Sequence, residues 1–273
     1  MPSGKRSRQL RAAAVAAPPP VRSKGTRARR QASPRVLMIA GGVAALIVVG
    51  IVLAVTLSGG GKSLNVATLP TSGSLTNALP GAADVNTLFK GIPQSGLTLG
   101  SPSAKVTLTE YIDLQCPYCQ EFETQVMPGV VARYVRTGKV KVVARPLAFI
   151  GPDSIGGRKA MLAAAAQGKA FNFAELLYDN QRTENTGWLN DSMIASAAES
   201  IPGLDPKQVF TARDSSTIAA QAAQLDKEGA ADKITGTPTL FVGTGGALGS
   251  QVHLKSPTDA ATLTKTLDTA LAS

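Results

Sequence analysis

The chain has 273 residues, which is enough for one sizeable globular domain with non-globular extensions. Its formal net charge is +10, but ten of its 28 Lys and Arg residues precede Val36, and no acidic residue precedes Asp84. The chain from Val36 onward therefore carries 18 basic against 18 acidic residues and is formally neutral. Because the excess positive charge lies in one terminal segment, it does not indicate a nucleic-acid-binding domain.

The first 57 residues have the composition of a tail followed by a membrane anchor. Residues 1–35 are basic, rich in Ala and Pro and poor in large apolar residues, so we expect them to be disordered. Residues 36–57 are 22 uncharged, mostly apolar residues, long enough as a helix to cross a hydrocarbon core of roughly 30 Å. The positive-inside rule then predicts a cytoplasmic N-terminus and an extracytoplasmic C-terminal domain.

A cleaved signal peptide is the alternative interpretation of this apolar segment. The apolar region of a signal peptide is normally about 7–15 residues long, and the longer run here favours an uncleaved signal-anchor. Residues 58–96 contain three consecutive glycines at 59–61 and are rich in Ser, Thr, Gly, Asn and Pro, so we expect a linker with at most a short helix around 84–90. Residues 97–273 are predicted to form the folded domain.

Strand and helix patterns follow one another along this domain. β-Branched residues predict a strand over 106–112, and apolar residues four positions apart predict one helix over 117–136. A second strand is predicted over 140–145, and five helices over 154–167, 170–180, 191–200, 205–213 and 216–231. Strands over 239–242 and 251–254 and an amphipathic helix over 258–271 complete the order. This order predicts an α/β fold, a mixed sheet with helices packed on it.

The two cysteines of the chain, Cys116 and Cys119, are separated by two residues. A structural disulfide framework needs more cysteines at wider spacing. A structural zinc site needs four ligands, and His253 is the chain's one histidine, so we expect neither a metal nor another cofactor. We expect His253 to have a structural or surface role. A redox dithiol has a physical rationale, because Cys116 would precede the first turn of a helix, where free N–H groups and the macrodipole favour a thiolate.

Two segments resemble a known family. Glu110-Tyr-Ile-Asp-Leu-Gln-Cys-Pro-Tyr-Cys-Gln-Glu-Phe122 resembles the active-site segment of DsbA-like thioredoxin-fold proteins. Thr235-Gly-Thr-Pro238-Thr-Leu-Phe-Val242 resembles the loop that carries the cis-proline of that superfamily. The resemblance covers residues 95–271 and implies a thioredoxin fold with a helical insertion at 150–232, here preceded by a single transmembrane helix.

The resemblance implies catalytic roles for four residues. Cys116 matches the exposed nucleophile of the family, and Cys119 matches the resolving thiol. Pro238 matches the cis-proline. Glu110 matches a buried acid that relays a proton for the resolving cysteine, although an ordinary carboxylate at a strand end is the alternative for this residue.

Three further residues are implied to hold substrate against the dithiol. Thr237 precedes the cis-proline on the backbone edge that binds substrate peptides in the family, and Pro117 and Tyr118 separate the two cysteines. Tyr118 stands where the best-known DsbA has histidine, and it lacks the positive charge that would stabilise a neighbouring thiolate. We expect Asp113 to be a turn or capping residue. Glutaredoxins share the Cys-Pro-Tyr-Cys sequence but are short and have no membrane segment.

These features predict a membrane-anchored, extracytoplasmic thiol:disulfide oxidoreductase. The expected activity is the formation of disulfides in exported proteins, with a membrane redox partner that recycles the dithiol and with no nucleic acid as a ligand. Two alternatives stay open at this stage. One is an extracytoplasmic reductase of the same fold, for example in cytochrome maturation, and the other is a redox-inactive binding domain.

Overall fold

The computed structural model describes residues 64–273. The predicted tail (1–35), the predicted membrane segment (36–57) and the first residues of the predicted linker lie outside this range. Among residues 64–273, no helix combines the length and the apolar composition needed to cross a bilayer. This part of the chain forms an α/β structure around one six-stranded mixed sheet.

The strands are, in chain order, β1 (Gln94–Ser95), β2 (Thr98–Leu99), β3 (Val106–Ile112), β4 (Val140–Pro146), β5 (Thr239–Thr244) and β6 (Ser250–Val252). The helices are α1 (Ala82–Phe89), α2 (Pro117–Gln125), α3 (Met127–Val130), α4 (Pro152–Ala165), α5 (Ala170–Asp179), α6 (Asp191–Glu199), α7 (Pro206–Ala212), α8 (Ser216–Ala231) and α9 (Ala260–Ala272). A 3-10 turn at Val66–Thr68 precedes α1, and a π-helical turn at Val131–Val135 follows α3.

The sheet has the strand order β1-β2-β4-β3-β5-β6. β3 runs parallel to β4, and the other neighbouring strands are antiparallel. Every residue of β3 is buried, which is expected for a central strand that has other elements on both faces of its sheet. Helices α4 to α8 lie between β4 and β5 in the chain, where the sequence predicts the insertion.

The single helix predicted over 117–136 is wrong in its second half. α2 ends at Gln125, and α3 and the π-helical turn continue the chain with changed backbone geometry. Pro128 gives the physical reason, because proline has no N–H to donate and its ring clashes with the preceding helical turn. The apolar periodicity persists through the break, so periodicity alone did not reveal it.

The short helix predicted around 84–90 is present as α1, but the linker predicted over 58–96 is wrong for its described part, because this helix is packed into the core. Ala82, Val85 and Phe89 recur on one face of α1 and are buried in the main hydrophobic core. The Phe89 ring lies 6.3 Å from that of Phe171. The Arg136 guanidinium donates hydrogen bonds to the carbonyls of Leu88 and Lys90, at 2.7 and 3.0 Å. The segment before β1 is therefore part of the folded domain.

Replacing Phe89 with alanine tests this assignment. We expect Phe89→Ala to lower the free energy of unfolding by about 3–5 kcal/mol, the range for removing a buried aromatic side chain. Leu75→Ala is the matched control, because Leu75 is 43% exposed and precedes the same helix. Equal denaturant midpoints for the two variants would mean that this segment is not part of the core.

Candidate dithiol site

The dithiol lies at the end of the central strand and the start of α2. Cys116 has extended backbone geometry and is the N-cap of α2. Pro117 occupies the first turn, where a backbone N–H would have no partner within the helix, so the absence of this group in proline costs no hydrogen bond. Cys119 follows within the first turn, and both cysteines are free thiols. Tyr118 points outward and is 59% exposed.

The exposed nucleophile that the resemblance implies is not found at Cys116. This residue is only 3% exposed, and Cys119 is fully buried. The physical reason is the loop before β5, which covers the sulfur: the Cys116 thiol donates a hydrogen bond to the Thr237 carbonyl oxygen at 3.1 Å. A partner must therefore approach along this loop to reach the sulfur.

The peptide bond between Thr237 and Pro238 is cis, as the resemblance implies for this loop. Although 121 residues separate Cys116 from Thr237, the two are in contact. Beside them lies an open groove of about 360 Å³ that Tyr118, Pro238 and the segment around β6 line. His253, for which we expected a structural or surface role, is exposed and also lines this groove.

The two sulfurs differ in proton affinity. The hydrogen bond from the Cys119 thiol lowers the pKa of Cys116 to about 6, and burial opposes this effect. Hydrogen bonds from the Thr237 side chain and from the backbone amides of Cys119 and Tyr118 lower it further. Burial, and then the neighbouring Cys116 sulfur, raise the pKa of Cys119 well above its ordinary value. At neutral pH Cys116 is therefore mainly a thiolate beside a Cys119 thiol, and the hydrogen bond from Cys116 to the Thr237 carbonyl belongs to its protonated form.

Asp113 has a larger structural role than the turn residue that the sequence predicts. Its carboxylate is fully buried and accepts hydrogen bonds from the amides of Gln115, Phe149 and Ile150 and from the Ser154 hydroxyl, at 2.7–2.9 Å. The Asp113 carboxylate therefore joins the loop before Cys116 to the start of α4. Four donors satisfy the charge, so burial of this carboxylate is compensated.

Glu110 lies within β3 and is 1% exposed. Burial raises the pKa of Glu110 to about 7, and a hydrogen bond from the Glu123 carboxyl partly offsets this rise. Glu123 is on α2 one turn after Cys119, so both residues lie on the same face of the helix. That four-residue spacing is visible in the sequence and could have identified Glu123, which we did not single out.

Tyr178 is a further buried polar group near the dithiol. It is fully buried on α5, and its hydroxyl donates to the Asp113 carbonyl oxygen at 3.2 Å. Burial, and then the charges of Cys119, Glu123, Asp113 and Glu110, raise the pKa of the phenol well above its usual range. Tyr178 is thus within electrostatic reach of both the dithiol and the acids. Tyr178 comes from the insertion, and no local pattern in the sequence assigns it to the site.

Comparisons with known proteins agree with this geometry. The family model described as thioredoxin matches residues 94–268. Disulfide bond formation protein D of Bacillus subtilis is 27% identical over 159 residues, which is 56% of this chain and 68% of that protein.

Two solved structures are similar in fold. The crystal structure of oxidised BdbD from Bacillus subtilis has a TM-score of 0.58 and 22% identity, and the match covers 66% of this chain and 99% of that one. Chlamydia trachomatis DsbA has a TM-score of 0.54 and 20% identity over 63% of this chain and 90% of that one. From the family match, the relative and the shared fold, we conclude that the chain belongs to the thioredoxin family and is a DsbA-like thiol:disulfide oxidoreductase.

Proposed function

We propose that the protein is a membrane-anchored, extracytoplasmic oxidase that forms disulfides in exported proteins through Cys116 and Cys119. The observation that carries this proposal is the position of the Cys116 sulfur, at the N-cap of α2 and against the Thr237 carbonyl of the cis-proline loop. In this position the pKa of Cys116 is lowered to about 6, and burial raises that of Cys119. A stabilised thiolate favours the reduced form of the pair, and a stable reduced form makes the disulfide form a stronger oxidant.

The reaction proceeds through a mixed disulfide. A substrate thiolate attacks the Cys116 sulfur of the oxidised pair, and the Cys119 sulfur leaves and takes up a proton. A second substrate thiolate then attacks the substrate sulfur of the mixed disulfide, and Cys116 leaves as a thiolate. The substrate loses two electrons and gains a disulfide, and the protein gains the two electrons as a dithiol. A membrane redox partner must remove these electrons before the next cycle.

Other residues of the site have supporting roles in this proposal. The backbone edge at Thr237 and Pro238, with the groove beside Pro117 and Tyr118, holds the substrate segment in reach of Cys116. Glu110 exchanges the proton of Cys119, because a buried carboxyl with a pKa of about 7 can both donate and accept at neutral pH.

Membrane attachment is the part of the proposal that rests on the sequence of residues 1–57. We expect the full chain to resist extraction of cell membranes at alkaline pH, and a variant that lacks residues 1–57 to be released, because the uncharged run of 22 residues is long enough to span. After treatment of intact cells with a reductant, a membrane-impermeant thiol reagent should label Cys116. Labelling only after cell lysis would contradict the predicted orientation.

The redox potential tests the direction of electron flow. We expect equilibration of the purified protein with glutathione to give a potential above the roughly −270 mV of thioredoxin. The protein should also form disulfides in reduced ribonuclease, and Cys116→Ser should abolish this activity. A potential near that of thioredoxin would favour the reductase alternative. Unchanged cellular function in Cys116→Ser would favour a binding domain.

The pH dependence of thiol alkylation tests the environment of Cys116. We expect its alkylation rate to rise with pH and reach half its plateau at about pH 6, because the thiolate is the nucleophile. In Cys119→Ala the midpoint should move to higher pH, since the hydrogen bond that most lowers the pKa of Cys116 is lost. Identical profiles for the two proteins would mean that the Cys119 thiol does not stabilise the thiolate.

A further inference from the structure

Three carboxyl groups from three elements lie buried together in the interior. Glu110 on β3, Glu123 on α2 and Glu175 on α5 are 1%, 5% and 5% exposed. Atom Oε2 of Glu110 and atom Oε1 of Glu123 are buried and make no hydrogen bond with any described residue. The ion pairs formed among residues 64–273 involve none of the three.

Buried carboxylates without a cation are costly, so such groups keep their protons. Burial, followed by the charges of Glu110 and Glu175, raises the pKa of Glu123 well above its ordinary value. Burial, followed by the charges of Asp179 and Glu110, does the same for Glu175. At neutral pH both groups are therefore neutral acids next to Glu110, which is close to half protonated. A row of neutral acids can pass a proton along without holding a charge.

The surface end of this row is Asp179. It is four residues after Glu175, so the two side chains lie on the same face of α5, and Asp179 is exposed. The Asp179 carboxylate packs against Gly81, the N-cap of α1, where any Cβ would collide with it. Asn180 donates to the Pro80 carbonyl at 2.9 Å beside this contact. Residues 80 and 81 of the segment before β1 therefore lie next to the end of α5 at the surface.

We propose that Glu175 is a positioning residue for proton transfer, which links Glu110 and Glu123 to solvent at Asp179 so that the proton of Cys119 can be replaced in each turnover. The proposal deepens the proposed function and rests on it. It assigns to the insertion helix α5 a part in the chemistry as well as in the core.

The proton balance of the proposed step is as follows. When Cys119 leaves as a thiolate, it takes a proton from the Glu110 carboxyl, which becomes a carboxylate. Glu123 passes its proton to Glu110, Glu175 passes its proton to Glu123, and Asp179 returns one to Glu175 from solvent. When the dithiol is reoxidised, Cys119 gives up its proton and the same groups carry it outward. No electron moves through the carboxyl groups.

The charges around Glu175 determine the sign of the effect. The charges of Asp179 on the same helix and of Glu110 on β3 raise the pKa of Glu175, after burial, and the charge of Glu175 raises that of Glu123 on α2. Asp84 on α1 raises the pKa of Asp179 in turn, after burial. All four neighbours are acidic, so a second negative charge in the row is disfavoured. Loss of a proton from Glu110 is therefore followed by its replacement from the surface.

Glu175→Gln tests the proposal, because glutamine keeps the shape of the side chain and cannot release a proton. The purified full-length protein, oxidised beforehand, is mixed with a fluorescent peptide that contains two cysteines, and the rate is followed from about pH 5 to 9. We expect Glu175→Gln to slow peptide oxidation roughly tenfold at neutral pH, less than the loss when a directly contacting acid or base is removed. The thiolate of Cys116 should still titrate at about 6.

Two further variants distinguish a loss of proton transfer from an unspecific loss of activity or folding. Asp179→Asn should show a smaller loss in the same pH range, and because this side chain is exposed, the variant decides the question if Glu175→Gln does not fold. Glu184→Gln makes the same chemical substitution at an exposed position and should match the wild type. Peptide oxidation by Glu175→Gln that equals the wild-type rate at every pH would overturn the inference alone. A wild-type protein that does not oxidise the peptide would overturn the proposed function as well.

Infrared spectroscopy gives a readout that does not depend on the rate. The difference spectrum between the oxidised and reduced full-length protein should contain bands of protonated carboxyl groups, because the charge at the dithiol changes with its redox state and shifts the vibrations of nearby buried acids. Glu175→Gln should remove or shift one of these bands, and Glu184→Gln should leave them unchanged. A difference spectrum without any carboxyl band would contradict the proposal.

Discussion

The burial of β3 along its whole length is the constraint on which the site depends. A central strand that is covered on both faces cannot place a side chain in solvent, so Glu110 is held in the interior, far from water that would stabilise its charge. The same strand ends next to Asp113, whose carboxylate is satisfied by four donors and fixes the loop before Cys116. One strand thus positions both the nucleophile and the buried acid.

The two neighbouring cysteines of the site have opposite protonation states. Cys116 is held as a thiolate by the Cys119 thiol and by amides at the start of α2, while Cys119 is buried and keeps its proton. This arrangement needs no basic side chain between the cysteines, and Tyr118 provides none. The stabilisation therefore comes from hydrogen bonds and from the helix terminus, both of which act at short range.

Parts of the chain distant in sequence complete the domain. The insertion contributes Tyr178 and Glu175 from α5, and the segment before β1 packs Phe89 against Phe171 on the same helix. α5 therefore lies between the dithiol side of the domain and the N-terminal segment. A helix with neighbours on several sides is buried nearly all around, and this accounts for the glutamate that it carries into the interior.

The sequence by itself determined the strand and helix order, the Cys116–Cys119 pair and the loop with Pro238, because these depend on periodicity and on residues close together in the chain. It also indicated the short helix α1, although the polar composition around it hid that this helix packs into the core, and it contained Pro128, which ends the regular helix. Only the tertiary structure decided which distant groups meet. The contact of Cys116 with Thr237, the covering of its sulfur and the burial of Glu110, Glu123 and Glu175 in one interior come from packing between separate elements, and no local spacing encodes them.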